Sequence, residues 1–324
     1  MPALKPRDTQ QWAVLDGARR HKARWLGKLV WSTIGEMELT TDQMAEAFAR
    51  AGLEADRVPE IHPRDAFRRA SSQLAVDGIL LEDQTRLNIT IKPITEVNGR
   101  IIRAVVEHRV DANNVSLKPA TVAHLIWVKE EPDEAAIIRA PQGTEPHLET
   151  SVRLMQLQDL FDAARHTFTG RSLRDLAARL LTEANPVSVR RAGGVFFVPQ
   201  ADAPRVTQYT RLITAFGELA HHDDTEAYAV PVVNKGEQRL MVKRAAEADI
   251  RDQIDRLVQK CHDWLENPAQ KIYARSISDA FQNVQRLHTM IQTYAALTDD
   301  TLVTLKARAD QALALVERVA RQAE

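Results

Sequence analysis

Six arginines crowd residues 165–191 (Arg165, Arg171, Arg174, Arg179, Arg190 and Arg191), opposed only by Asp175 and Glu183. Guanidinium groups at this density suit phosphate, which they grip through charge-assisted, often bidentate hydrogen bonds. A second set, Arg64, Arg68 and Arg69, follows His62-Pro63. On a helix Arg64 and Arg68 share a face while Phe67, Ala70 and Leu74 turn to the core, so the guanidinium groups are offered to phosphates or guanine edges. Asp65, Asp42 and Glu46 weigh against that use. Arg190 and Arg191 precede Ala192-Gly193-Gly194, a turn between Val187–Arg191 and Val195–Val198, and so crown a hairpin tip, where a wing would touch a nucleic-acid backbone. The candidate nucleic-acid-binding residues are therefore Arg64, Arg68, Arg69, Arg171, Arg174, Arg190 and Arg191.

The other chemistry-bearing types fail on spacing. His221-His222-Asp223-Asp224 has the atoms for zinc or manganese, but consecutive side chains point apart and seldom converge on one ion. Cys261-His262-Asp263 places thiol and imidazole about 100° apart on a helix, out of reach as nucleophile and base. Cys261 also falls on an apolar seam, which fits a buried structural thiol. Gly193-Gly194 lacks both the Gly-x-Gly-x-x-Gly context and a following Lys-Ser/Thr. The expectation is no metal, no cofactor and no catalytic reaction.

The elements that must position the arginines follow from period and punctuation. Thr40-Thr41-Asp42 starts a helix that Gly52 stops; His62-Pro63-Arg64-Asp65 starts a second through Leu74. Ile79-Leu80-Leu81 and Arg86–Lys92 read as strands, then Ile101–Val110, joined to the preceding strand through Asn98-Gly99, a pair suited to the positive φ of a tight hairpin. Thr121–Lys129 is a further strand, residues 130–134 an acidic turn, and Ala135–Ala140 closes a small antiparallel sheet. Residues 141–150 read as a linker, 146–168 as one helix ended by Thr169-Gly170, and Ser172 caps the next. The 187–198 hairpin, a helix over 204–219 and a strand over 226–233 come after.

The last 85 or so residues are helical, with apolar residues stepping three and four. The seams are Ile250, Ile254, Leu257, Cys261 and Trp264; then Phe281, Val284, His288 and Ile291; then Leu302, Leu305, Ala309, Ala312, Val316 and Val319. Three such helices form a bundle or coiled coil and suit a partner helix or a second copy.

The order helix, loop, helix, strand, turn, strand over residues 38–92, with HPRDAFRRASSQLAVDGIL, resembles winged helix-turn-helix regulators, which implies DNA binding. It departs from them in the long inter-helix loop, Leu53 to Ile61. The segment GGVFFVP resembles an uncharacterised family of bacterial and phage proteins over about residues 150–265, which implies a mobile-element origin and no assigned activity.

Composition sets the outer bounds. The formal charge is −1, so affinity for a polyanion must come from local patches. One such patch, Arg19-Arg20-His21-Lys22-Ala23-Arg24, lies among Trp12, Trp25 and Trp31; it reads either as a stacking and phosphate-gripping run or as a solvated helix face anchored by its tryptophans. One cysteine allows no intrachain disulfide. No apolar run is long enough for a membrane span and the amino terminus is too polar for a signal peptide, so the expected location is cytoplasmic. The reading is an α+β protein with winged-helix-like units, a small antiparallel sheet and a C-terminal helical bundle or coiled coil. Its expected parts are 1–140, 146–235 and 238–324. Its expected function is non-enzymatic nucleic-acid binding or nucleoprotein assembly; the alternative is an adaptor that binds protein, or itself, through the tail.

Overall fold

The computed structural model describes residues 25–97, 99–111, 119–139, 145–190, 194–267, 272–298 and 302–323. The basic run at 19–24, Arg191 and Asn98 lie outside them. The first elements are β1 (Trp25–Thr33), β2 (Glu38–Thr40), α1 (Thr41–Ala51), α2 (Pro63–Gln73), β3 (Val76–Leu80), β4 (Arg86–Val97), β5 (Arg100–Val110), β6 (Ala120–Val128) and β7 (Glu131–Arg139). Next come α3 (Leu148–Met155), α4 (Leu157–Arg165), β8 (Thr167–Thr169), α5 (Gly170–Thr182), β9 (Val187–Ser188), β10 (Phe196–Pro199), α6 (Ala203–Ala220) and β11 (Glu226–Val233). The last three are α7 (Gly236–Glu266), α8 (Ala274–Thr298) and α9 (Val303–Ala323). The class is α+β. Among the described residues no helix is long and apolar enough to cross a membrane.

The chain forms two compact units. Of the described residues, the sheet unit comprises those within 38–46 and 54–169; the bundle unit comprises 25–37, 47–53 and those from 170 onward. These differ from the three parts expected above, because α3 and α4 bury Leu154, Leu157, Phe161 and Ala164 in the core of the preceding sheet. Apolar burial, not the composition of the 141–150 segment, decides which helix belongs where.

In the sheet unit the antiparallel order is β3-β4-β5-β6-β7. The two-residue period puts Leu87 and Ile89 of β4 on one face with Ile101, Val105, Leu125 and Trp127. Phe67 of α2 and Phe161 of α4 close that face, ring edge to ring face at 6.2 Å. Each buried phenyl contributes about 1.5–3 kcal/mol through burial. The β4–β5 pairing runs from Arg86↔Val110 to Val97↔Arg100, so this hairpin is the first half of a larger sheet. Gly99 takes φ +75° at its turn, as the Asn-Gly signal requires.

Two local expectations in this unit are corrected. The acidic residues Glu131, Asp133 and Glu134 lie within β7, not in a turn; Val128↔Glu131 leaves only Lys129-Glu130 to turn the chain. Charge and Pro132 are tolerated there because β7 is an edge strand. The single helix expected at 146–168 is α3, α4 and β8: Gln156 interrupts the helix, and threonines on either side of buried Phe168 favour extension. β8 pairs with β2, Phe168 opposite Leu39.

The bundle unit is built on β1, a strand the sequence reading missed. The order is β11-β1-β10-β9, all antiparallel, so the 187–198 hairpin also extends into a larger sheet. Val30 and Phe197 are fully buried. The tail is a three-helix bundle whose seams face one another. Ile250, Ile254, Leu257 and Cys261 of α7 share a core with Leu305, Ala309, Ala312, Val316 and Val319 of α9, and this core continues into Leu26, Val187 and Phe197 of the sheet. The α8 seam is Ala280, Val284, Leu287, Ile291 and Tyr294, rotated from the expected Phe281 and His288. His288 lies 3.5 Å from Asp310 at the bundle surface. The seams expected to need a partner find one within the chain.

Candidate nucleic-acid interface

The first arginine set does fall on one helix. His62 caps α2, its Nδ1 accepting the Arg64 N–H at 3.1 Å, and Pro63 occupies the first turn, where its missing N–H costs nothing. All three guanidinium groups are engaged within the sheet unit. Arg64 and Arg68 both pair with Glu96 of β4, and Arg68 also pairs with Asp65 at 2.9 Å. Half-buried Arg69 donates to the Thr167 carbonyl at 2.7 Å and to that of Ala164. Burial holds its pKa below the usual arginine value despite Glu38 and Asp65. Arg103, unforeseen in the sequence, donates to the Arg68 carbonyl at 2.9 Å and to Ser71 Oγ at 2.6 Å. These bonds fasten α2 to β4, β5 and the α4–β8 junction, so the cluster has a structural task.

The second set is divided. Arg165 lies in the sheet unit, paired with Asp133 at 2.7 Å and 5.8 Å above the Phe161 ring. The others belong to the bundle unit. Arg174 of α5 donates to the Ile34 carbonyl at 3.1 Å and to Glu36 at 2.7 Å. Arg171 and Arg179 of α5 and Arg190 of the hairpin are exposed. Among the described residues none of these three has an ion-pair partner. Their α5 frame is set by Leu173, Leu176, Ala177 and Leu181, buried at helical spacing, which turns the intervening arginines outward.

A slot of about 270 Å³ runs beside α5. Arg174, Ala178 and Thr182 border it on the helix side, and Trp31, Phe196 and Tyr209 on the sheet and α6 side. Ser32 Oγ and Tyr209 Oη share a hydrogen bond of 2.6 Å within its lining. Burial raises the Tyr209 pKa, partly opposed by Ser32, so the phenol stays protonated at neutral pH. Trp31 stacks on Tyr228 with ring centres 5.2 Å apart. Sequence reasoning missed this site; Ser32 and Tyr209 stand 177 positions apart and meet only through the fold.

The His-His-Asp-Asp run is the end of a helix. His221 takes φ +53° as the α6 C-cap, and the His222 N–H returns to the Gly217 carbonyl at 2.9 Å. The His222 imidazole lies against Gly35, where a Cβ would come within 2.1 Å of it. A cleft of about 660 Å³ beside this turn is lined by Glu218, Asp223 and Glu226 together with both histidines. Three carboxylates make it a poor host for a polyanion. Among the described residues no group of three or more His, Cys, Asp or Glu is placed to hold a metal ion. Cys261 is fully buried, and burial raises its thiol pKa.

The fold and these surfaces define an α+β protein in which, among the described residues, Arg171, Arg179 and Arg190 of the bundle unit have no ion-pair partner while Arg174 and the α2 arginines are engaged. The chain belongs to DUF6744, a family of unknown function whose model matches residues 25–324. An uncharacterised family is what the GGVFFVP segment implies; no winged-helix regulator family matches. No curated protein and no solved structure matches the chain.

Proposed function

We propose that this protein binds nucleic acid without transforming it, through the α5–hairpin face of the bundle unit. The observation that carries the reading is that Arg171, Arg179 and Arg190 are exposed and unpaired among the described residues, whereas the α2 arginines are committed to Glu96 and to carbonyls. An unpaired guanidinium exchanges only water and counterions for a phosphate; one engaged with Glu96 must first break that pair. Fluorescence anisotropy with labelled single- and double-stranded probes at about 50 mM salt should give micromolar or tighter binding that weakens steeply with added salt. Arg171→Glu with Arg190→Glu should remove most of that binding and leave the circular dichroism unchanged, since both side chains are solvated. Arg64→Glu should have a smaller effect on affinity. Wild-type affinity in the double variant sinks the reading.

A second reading, an adaptor that binds protein, draws on α3. Leu148, Val152 and Met155 form a stripe at helical spacing and are 72%, 46% and 75% exposed, while Thr150 and Leu154 face the core. A stripe of this kind suits a partner's apolar groove. It replaces the tail as the surface for this role, because the tail seams are buried. Light scattering should report an oligomer of the full chain that Val152→Glu dissociates; a monomer in both cases removes self-association from this reading.

A further inference from the structure

Resting on the nucleic-acid reading, we infer that the slot between α5 and the β1–β10 sheet takes an unstacked base of a single strand, with the flanking arginines holding its phosphates. The observation is the juxtaposition of two unlike surfaces. The slot is mostly apolar, lined by Trp31, Ile34, Leu181, Pro186 and Phe196, and one hydroxyl pair is set into it. At about 270 Å³ it falls just below the range of drug-sized pockets, so it suits one ring system. On the helix border stands Arg174, held by Glu36; exposed Arg171 lies one turn before it on the same helix, and Gly194, which lines the slot, belongs to the hairpin that bears Arg190.

A free apolar ligand would be served by the slot alone, and duplex phosphates by the arginines alone. An apolar, ring-lined slot on an element that also carries exposed arginine matches a ligand that joins a flat aromatic group to an anionic backbone. Duplex DNA presents its bases stacked and paired, and flipping one out costs several kcal/mol; a single strand presents them already free. The two hydroxyls of Ser32 and Tyr209 hold two protons and spend one on each other. One proton and spare lone pairs remain for the edge of a base. Trp31 is held by its stack on Tyr228, so the wall it forms is set before a base arrives.

The test compares strands of equal charge. The full chain is titrated with labelled oligothymidylate, oligouridylate, an all-abasic strand of the same length, and a duplex. Base-bearing strands should bind about tenfold or more tightly than the abasic strand, the effect expected of one stacked base. Ala178→Trp places a large ring at the slot's exposed helical border without entering the core. It should bring base-bearing strands down to the abasic level, as should Tyr209→Phe in part. Arg171→Glu should weaken every probe, abasic included. Equal affinity for abasic and base-bearing strands, with Arg171→Glu still weakening both, overturns the slot and leaves the arginine reading standing. No binding to any probe overturns both. A mononucleotide that competes at the same concentration as the oligonucleotide overturns the strand as occupant in favour of the free nucleotide.

Discussion

Gly27→Ala is expected to unfold the bundle unit or destabilise it by more than about 3 kcal/mol, the upper end of ordinary overpacking. A Cβ on residue 27 would lie 2.0 Å from the Val198 carbonyl oxygen and 2.7 Å from the Phe197 ring. The first neighbour is backbone of the paired strand, and the second belongs to a fully buried side chain, so neither can swing aside. Relief requires β1 and β10 to part, which forfeits ladder hydrogen bonds and opens the core at Leu26 and Phe197. Gly236→Ala is the matched control: it opens α7, and nothing lies within 4 Å of its added methyl. Reducing chain entropy at a compatible helical position should leave it neutral or stabilise it by about 0.4–1 kcal/mol. Urea titrations followed by circular dichroism compare the two, and equal midpoints for Gly27→Ala and the parent would refute the clash.

Tyr294→Phe should cost about 1–3 kcal/mol, the penalty for leaving a buried polar group unpaired, and Tyr294→Ala about 3–5 kcal/mol with its cavity. The side chain is fully buried in α8, its hydroxyl 2.9 Å from the Asn185 carbonyl and 3.2 Å from that of Phe197. It thus joins the bundle to the hairpin strands. Burial first, then the charges of Asp249 and Asp202, raise its pKa well above the usual tyrosine value. A raised folded-state value gives a contribution fully present below the unfolded value near pH 10 and lost as pH climbs toward the folded one. The unfolded chain releases a proton there that the native state keeps, so stability falls by about 1.4 kcal/mol per pH unit for each such group. Tyr209, also raised by burial, adds to the same alkaline loss. Stability measured from pH 8 to 11 should fall less steeply in Tyr294→Phe than in the parent; parallel curves would show that the phenol ionises freely in the fold.

What the sequence disclosed was whatever rests on neighbours in the chain. Gly52 does end α1, at φ +71°, and His62-Pro63 does open α2. Alternation found β4, β5 and β6 to within a few residues. β1 escaped because a register irregularity between Trp25 and Gly27 breaks its two-residue period, and Lys28 interrupts its apolar run. The arginines of α5 were legible as a local charge excess. The commitment of Arg64 and Arg68 to Glu96 was not, since that carboxylate arrives from across a hairpin 28 residues beyond Arg68. Nor was the slot, whose walls come from β1, α5, β10 and α6 and share no local pattern. Period and capping report on one element at a time, whereas a site made where four elements meet depends on their pairing.

The discontinuous make-up of the bundle unit sets a timetable for synthesis. β1 pairs with β10 and β11, Gly27 opposite Pro199 and Trp25 opposite Val233. Once residue 33 has left the ribosome, the strand has no sheet to join until about 170 to 200 more residues follow, roughly 10–40 s at common elongation rates. The sheet unit lies in between, and its β3–β7 meander pairs sequential strands with short loop closures, so it can be complete while β1 still waits. During that interval WLGKLVWST is an extended apolar segment with both edges open, the form most exposed to chaperones and to mispairing. Slower translation between residues 33 and 233 should lengthen the wait, and a permuted chain that delivers β1 after β11 should remove it.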